Sequence, residues 1–471
     1  MNDPTLSEVL PSSPESALQI LDSRTGSVYT VPIHKGNFIK AADLGKIKIS
    51  DAVLGVDDND SAERPILRSL NILDKGFEYT ACMTSRITLV DGERGIIRYR
   101  DIPIEQLFSD YIYEDVMHLL IWGQLPTLEQ KIHFRRSMAR AAAPPQIVVD
   151  VISAFPKSAE IFPMLIASLS AFTAADDLAC QSHHQAKPMF QGNLPIADQM
   201  IARTIAYYAS SIALIHCHKN NIRFTPPEED RSLIGNLLLM MGINKPEVEE
   251  CFNKLWILYA DHEITNSTAA LLHAGSSLAD PISAVISGIA SSFGPLHGGA
   301  ISLAYEIFDK IGSPEAVPEF IANLKSSKTR LFGYEHRVYK ARDPRLGLIE
   351  KLMYQHREAV DANPLLRIAM AIEQAADSDS YFKDRGLKAN ADLKGCILYT
   401  AMGFDTEMFI AIVGLSRLPG ALAHWRETLV QPVKLWRPQQ IYQRPAAYDE
   451  KSRMSTGLGS HLIFMMRTQI S

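Results

Sequence analysis

The sequence predicts a mainly α protein with a small β-rich portion in front. Two observations carry this. After Pro103, apolar residues recur at helical spacing for most of the remaining length. Before Arg100 the texture is strand-like, with a hairpin signal at Asp91-Gly92. At 471 residues the chain exceeds one simple core and suits two domains, or one large domain with a subdomain. A 46% hydrophobic and 21% charged composition supplies ordinary globular burial and argues against wholesale disorder.

The elements follow in order. Residues 1–16 are Ser-rich and acidic and read as a flexible tail. Residues 17–100 form the β-rich portion, in which 85–90 and 96–100 pair as a hairpin. Leu107, Val116, Leu119, Leu120 and Trp122 fall on helical spacings, and Gly123 and Pro126 end that run. Pro144-Pro145 and Pro226-Pro227 punctuate later helices. The stretch 281–293 is apolar with small residues, which suits a helix buried on all sides. It halts at Gly294-Pro295, and a new helix is expected to open near His297. No period of 20–50 residues recurs, so a solenoid is excluded.

Bulk properties narrow the function. A formal charge of −6 opposes nucleic-acid binding, which needs clustered Lys and Arg. It leaves room for a small anionic substrate met by local arginines. Five scattered cysteines without a C-x-x-C pair read as free thiols in a reducing compartment. The first basic residue is Arg24, which does not suit a mitochondrial presequence, and no early apolar core marks a secretory signal. The last residues are not the S-K-L address. No uninterrupted apolar run reaches spanning length. The expectation is a cytoplasmic protein with no membrane contact. Asp261-His262-Glu263 is not H-E-x-x-H, so no metal is expected. Walker A, G-x-G-x-x-G and G-x-S-x-G patterns are also missing.

Three polar islands interrupt the apolar C-terminal half: 261–263, 294–299 and 335–345. Each contains a histidine beside glycines, carboxylates or arginines. Binding a dianion and moving protons needs such a set. Gly294, Gly298 and Gly299 let backbone approach a ligand at His297. A histidine at a helix N-terminus is kept neutral by the dipole, as a hydrogen-bond donor. Each residue also has a plain reading. His297 alone is a loop histidine, and His336, Arg337 and Arg345 alone are surface charge. Asp392 alone is an N-cap. Arg417 follows an apolar run, an unusual place for a charge unless an anion meets it. Arg437 alone sits in a loop.

Taken in order, these islands resemble the citrate synthase family. The likeness runs through 86–91, 95–96, 103–107, 258–270, 294–300, 333–345, 390–403, 416–427 and 437–442. The resemblance implies a citrate synthase-like two-domain helical fold. Its large domain would comprise 101–297 and 401–471, and its small domain 298–400, in an obligate homodimer. It implies Claisen/aldol-type condensation of oxaloacetate with an acyl-CoA, then thioester hydrolysis, with acyl-CoA as substrate and no cofactor. By the family pattern His297 hydrogen-bonds the thioester carbonyl, Asp392 takes the α-proton and His336 polarises the oxaloacetate ketone. His262 seats oxaloacetate. Arg345 and Arg417 grip its carboxylates with Arg437 of the partner subunit. Lys340 and Arg342 are candidates for CoA phosphates.

The departures from the family cluster together. Where the family has Phe-Tyr-Ser-Gly after the aspartate, this chain has Leu393, Lys394, Gly395 and Cys396. Val413 stands for a usual Phe, and Ala421 for a usual Trp. Aromatic side chains bury roughly 150–250 Å² each, so smaller residues imply a wider acyl pocket. This pattern is similar to fungal alkylcitrate synthases of secondary metabolism, whose acyl donor is a longer acyl-CoA or a carrier-protein-bound acyl group. Ordinary citrate or 2-methylcitrate synthesis is the alternative. A catalytically silent paralogue acting as a binding partner is a third reading, disfavoured by retention of the polar set.

Overall fold

The computed structural model describes residues 16–50, 67–184, 188–327, 331, 339–385, 387 and 391–441. The chain divides into two compact units. One comprises residues up to Met83 together with those from Arg437, and the other runs from Thr84 to Trp436. The tail expected over 1–16 lies almost wholly outside the described residues, as does His336.

The regular structure in the described part of the first unit is mostly β. Ser16–Asp22 and Ser27–Ile33 form an antiparallel hairpin with Leu18 opposite Val31. Gly26 takes a positive φ of 72° in its turn, where a side chain would be strained. Lys48–Ser50 pairs with Leu67–Ser69.

The second unit is mainly helical, as the hydrophobic spacing predicts. Its hairpin pairs Thr88–Asp91 with Ile96–Tyr99. This hairpin belongs with the helices rather than with the strands before it. Tyr99, fully buried, places its hydroxyl 3.1 Å from the Ile257 carbonyl and 3.0 Å from that of Asp261. The Val90 N–H donates to Glu263 at 2.8 Å. The compact unit Thr84–Trp436 includes this hairpin.

Helices Ile104–Asp110 and Tyr113–Trp122 follow, the latter ended by Gly123 at φ 81°. The core gathers around Ile161–Ala175, Leu194–Asn220, Asn266–Gly275, Pro281–Ser292 and Thr406–Thr428. Pro281–Ser292 is capped by Asp280, whose carboxylate accepts from the Ile282 and Ser283 N–H groups. The next helix starts at Ala300, three residues later than the glycine-rich stretch suggests. The Gly299 N–H turns back to the Ser292 and Gly294 carbonyls, so His297 stands in the turn before the helix.

Thr406–Thr428 is long and apolar enough to cross a bilayer by composition, although 83% of that window is buried inside the protein. Pro419 within it has no N–H for the Leu415 carbonyl. The buried Tyr113 hydroxyl compensates, 3.5 Å from that carbonyl and 2.8 Å from the next, that of Ser416. Among the described cysteines, Cys82, Cys180, Cys217 and Cys251 are free.

Candidate active site

Segment 261–268 organises the site. Asp261 is fully buried and His262 is 9% exposed. Glu263 sits at φ 56°, turning the chain sharply before the next helix. Thr265 caps that helix, its hydroxyl accepting from the Thr268 N–H at 3.3 Å. Asn266, one place later, accepts from the Ser291 hydroxyl.

His262 and His297 both depend on this segment. His262 Nε2 lies 2.7 Å from the Tyr339 hydroxyl, with the two rings edge-on. His297 Nε2 lies 2.9 Å from Ser267 Oγ. Ser267, in the first turn of the Asn266–Gly275 helix and within the resembling stretch 258–270, thereby orients the imidazole. Gly298 and Gly299 permit this turn: a Cβ on Gly298 would come within 2.7 Å of the Ser292 carbonyl oxygen.

Arg345 is buried, at 3% exposure, and stacks over the rings of Tyr259 and Tyr339. Its Nε and Nη2 both bind Asp343, at 2.9 and 2.6 Å. Burial opposes charge on both groups, yet the mutual attraction wins. Asp343 is held below the usual carboxylate range and Arg345 well above its own. The Asp343 carboxylate thus occupies the Nε–Nη2 edge of the guanidinium. Arg417 Nε donates to the Tyr259 carbonyl at the end of helix Pro246–Tyr259.

Asp392 falls in the first turn of helix Ala391–Ala401. Its side chain and that of Leu393 lie outside the described residues. The residue before it is pinned on both sides. The Ala391 N–H donates to Asp343 Oδ2 at 2.9 Å, and its carbonyl accepts from the Tyr259 hydroxyl at 3.0 Å. Tyr259 and Asp343 thus link the backbone beside Asp392 to Arg345, and Tyr259 also meets Arg417.

The residues expected at the acyl end and at CoA are placed as follows. Gly395 packs on Tyr259, and a Cβ there would fall 1.7 Å from the hydroxyl. Lys394 is buried, and its ammonium binds Glu373 and, at 2.8 Å, Glu350. It spends its charge on these carboxylates. Arg342 joins the same cluster through Glu350, and Lys340 pairs with Glu93. Val413, Arg417 and Ala421 recur every four residues on Thr406–Thr428 and so share one helix stripe. Val413 is half-buried and Ala421 is 7% exposed. Arg437 is exposed and belongs to the other unit.

A cleft of about 1180 Å³ is lined by Trp122, Arg140, Asp176, Arg203 and Tyr207 among others, and by none of the residues above. Two of its charges cancel, Arg203 pairing with Asp176 at 2.8 Å. No cluster that could hold a metal occurs among the described residues.

One segment thus carries His262 and holds His297, and the buried Arg345 is tied through Asp343 to the helix that carries Asp392. A model of the citrate synthase C-terminal domain matches residues 76–439. The chain is 42% identical over 428 residues to a citrate synthase-like protein of Phoma sp., covering 90% of each. It is 33% identical over 442 residues to alkylcitrate synthase tstJ of Talaromyces stipitatus, covering 93% of this chain and 97% of that one. Among solved structures it resembles citrate synthase of Thermoplasma acidophilum in ternary complex with carboxymethyl coenzyme A and oxaloacetate. The TM-score is 0.71 at 29% identity, over 80% of this chain and 97% of the other. The chain belongs to the citrate synthase family and is a condensing transferase of that type.

Proposed function

We propose that this protein condenses oxaloacetate with an acyl-CoA longer than acetyl-CoA, yielding an alkylcitrate. The observation that carries the reading is the stripe Val413–Arg417–Ala421. The arginine expected to grip oxaloacetate is kept, and the residues one turn to either side of it are small. The alkylcitrate synthase of Talaromyces stipitatus supports the same reading.

In this reading Asp392 removes an α-proton from the thioester while His297, oriented by Ser267, donates a hydrogen bond to the developing enolate oxygen. The enolate carbon attacks the oxaloacetate ketone, whose oxygen His336 polarises by a hydrogen bond and which takes up a proton as the C=O π bond breaks to give the product hydroxyl. Arg345 and Arg417 hold the carboxylates, with His262 seating the substrate through Tyr339. Water then hydrolyses the thioester, releasing CoA. Oxaloacetate-dependent thiol release from acetyl-, propionyl-, hexanoyl- and octanoyl-CoA tests the proposal. Release from the longer donors supports it. Release from acetyl-CoA alone shows an ordinary citrate synthase, and release from none supports a silent paralogue.

A further inference from the structure

Asp343 is 2% exposed and makes two kinds of bond at once. It chelates Arg345 through both carboxylate oxygens, and its Oδ2 also accepts the Ala391 N–H. Ala391 directly precedes Asp392. One buried carboxylate therefore touches the arginine that meets the acceptor substrate and the backbone that carries the base. A second link runs in parallel: Arg342 binds Glu350, and Glu350 binds Lys394 on the same helix as Asp392. The loop 339–345 and helix Ala391–Ala401 are thus joined at two points, of which Asp343 is the fully buried one.

We propose that Asp343 is a positioning residue that holds the acceptor-binding guanidinium of Arg345 and the base Asp392 in one register. The proposal rests on the condensation described above. It adds that acceptor grip and proton abstraction are aligned by a carboxylate that touches neither substrate. The Arg345 pairing depends on the negative charge of Asp343. The Ala391 bond needs only an acceptor oxygen. The two functions are therefore separable by substitution.

Asp343→Asn keeps an acceptor for Ala391 and removes the charge. Its oxaloacetate KM should rise about tenfold or more, since Arg345 loses its partner, with kcat within about threefold. Asp343→Ala removes both bonds. Its kcat should also fall, by about 100-fold, because a displacement near 1 Å costs that much at a reacting centre. Tyr259→Phe removes the other bond to Ala391 and should lower kcat with oxaloacetate KM within about threefold. Steady-state kinetics on the full-length enzyme, using the acyl-CoA that wild type turns over best, reads all three. If Asp343→Ala does not fold, the opposite KM and kcat patterns of Asp343→Asn and Tyr259→Phe carry the test. Folded variants with wild-type kcat and KM, or variants whose kcat and KM fall in the same proportion, overturn the proposal. Absence of wild-type turnover instead overturns the condensation reading, so the two failures are distinct.

Discussion

The imidazole of His424 lies 3.2 Å from the Asp261 carboxylate, and neither side chain meets solvent. This pair backs the segment that carries His262 and caps the helix bearing Ser267. Burial opposes charge on each partner. Their attraction prevails, holding Asp261 below the usual carboxylate range and His424 above the usual imidazole range.

A pH dependence follows from these directions. The lowered Asp261 pKa contributes stability above about pH 4, lost as pH falls through its folded value. The raised His424 pKa contributes below about pH 6.5, lost as pH rises through its folded value. The pair is most stabilising between those limits. His424→Gln leaves a buried carboxylate without its cation and should cost about 3–5 kcal/mol there. Denaturant melts of both proteins from pH 4 to 9 check this, and the gap should narrow at alkaline pH.

Ser267→Ala should lower kcat about tenfold, the equivalent of one hydrogen bond to the imidazole, with oxaloacetate KM unchanged. An oxaloacetate KM that rises in proportion instead would place Ser267 at the acceptor site.

Gly395→Ala should destabilise the protein by about 1–3 kcal/mol, since the added methyl collides with the Tyr259 hydroxyl and the helix must shift. Chemical denaturation measures it. A wild-type midpoint would mean that Tyr259 can swing aside at no cost.

Val413→Phe should shift preference toward shorter acyl chains, because Val413 is only half-buried and a phenyl ring there adds bulk one turn from Arg417. Ala421→Trp should do so at a cost in stability, since Ala421 is already covered by its neighbours. Chain-length profiles of kcat/KM for both variants read this directly. Unchanged profiles in both would remove these positions from the acyl site.

Much of the fold was legible because helical spacing and breakers such as Gly123 act locally. The hairpin at Asp91-Gly92 was legible for the same reason. Its membership in the helical unit was not, since that depends on Tyr99 reaching Ile257 and Asp261 across more than 150 residues of chain. Motifs marked His262, His297 and Arg345; the pairings of His262 with Tyr339 and of His297 with Ser267 are set by packing between distant segments, whereas Asp343 stands two residues from Arg345 in the same island. Lys394 shows the limit most clearly. Local sequence placed it among residues expected to line the acyl end, whereas three-dimensional neighbours supply Glu350 and Glu373, which absorb its charge. Thr265 could have been found earlier, because a threonine before an apolar helical run is a capping signal.

An internal competition puts the central claim at risk most directly. Equimolar acetyl-CoA and octanoyl-CoA are offered with limiting oxaloacetate, and the two tricarboxylate products are counted by mass. Their ratio equals the ratio of kcat/KM values. The account predicts that the octanoyl-derived product predominates, and a mixture dominated by citrate would contradict it.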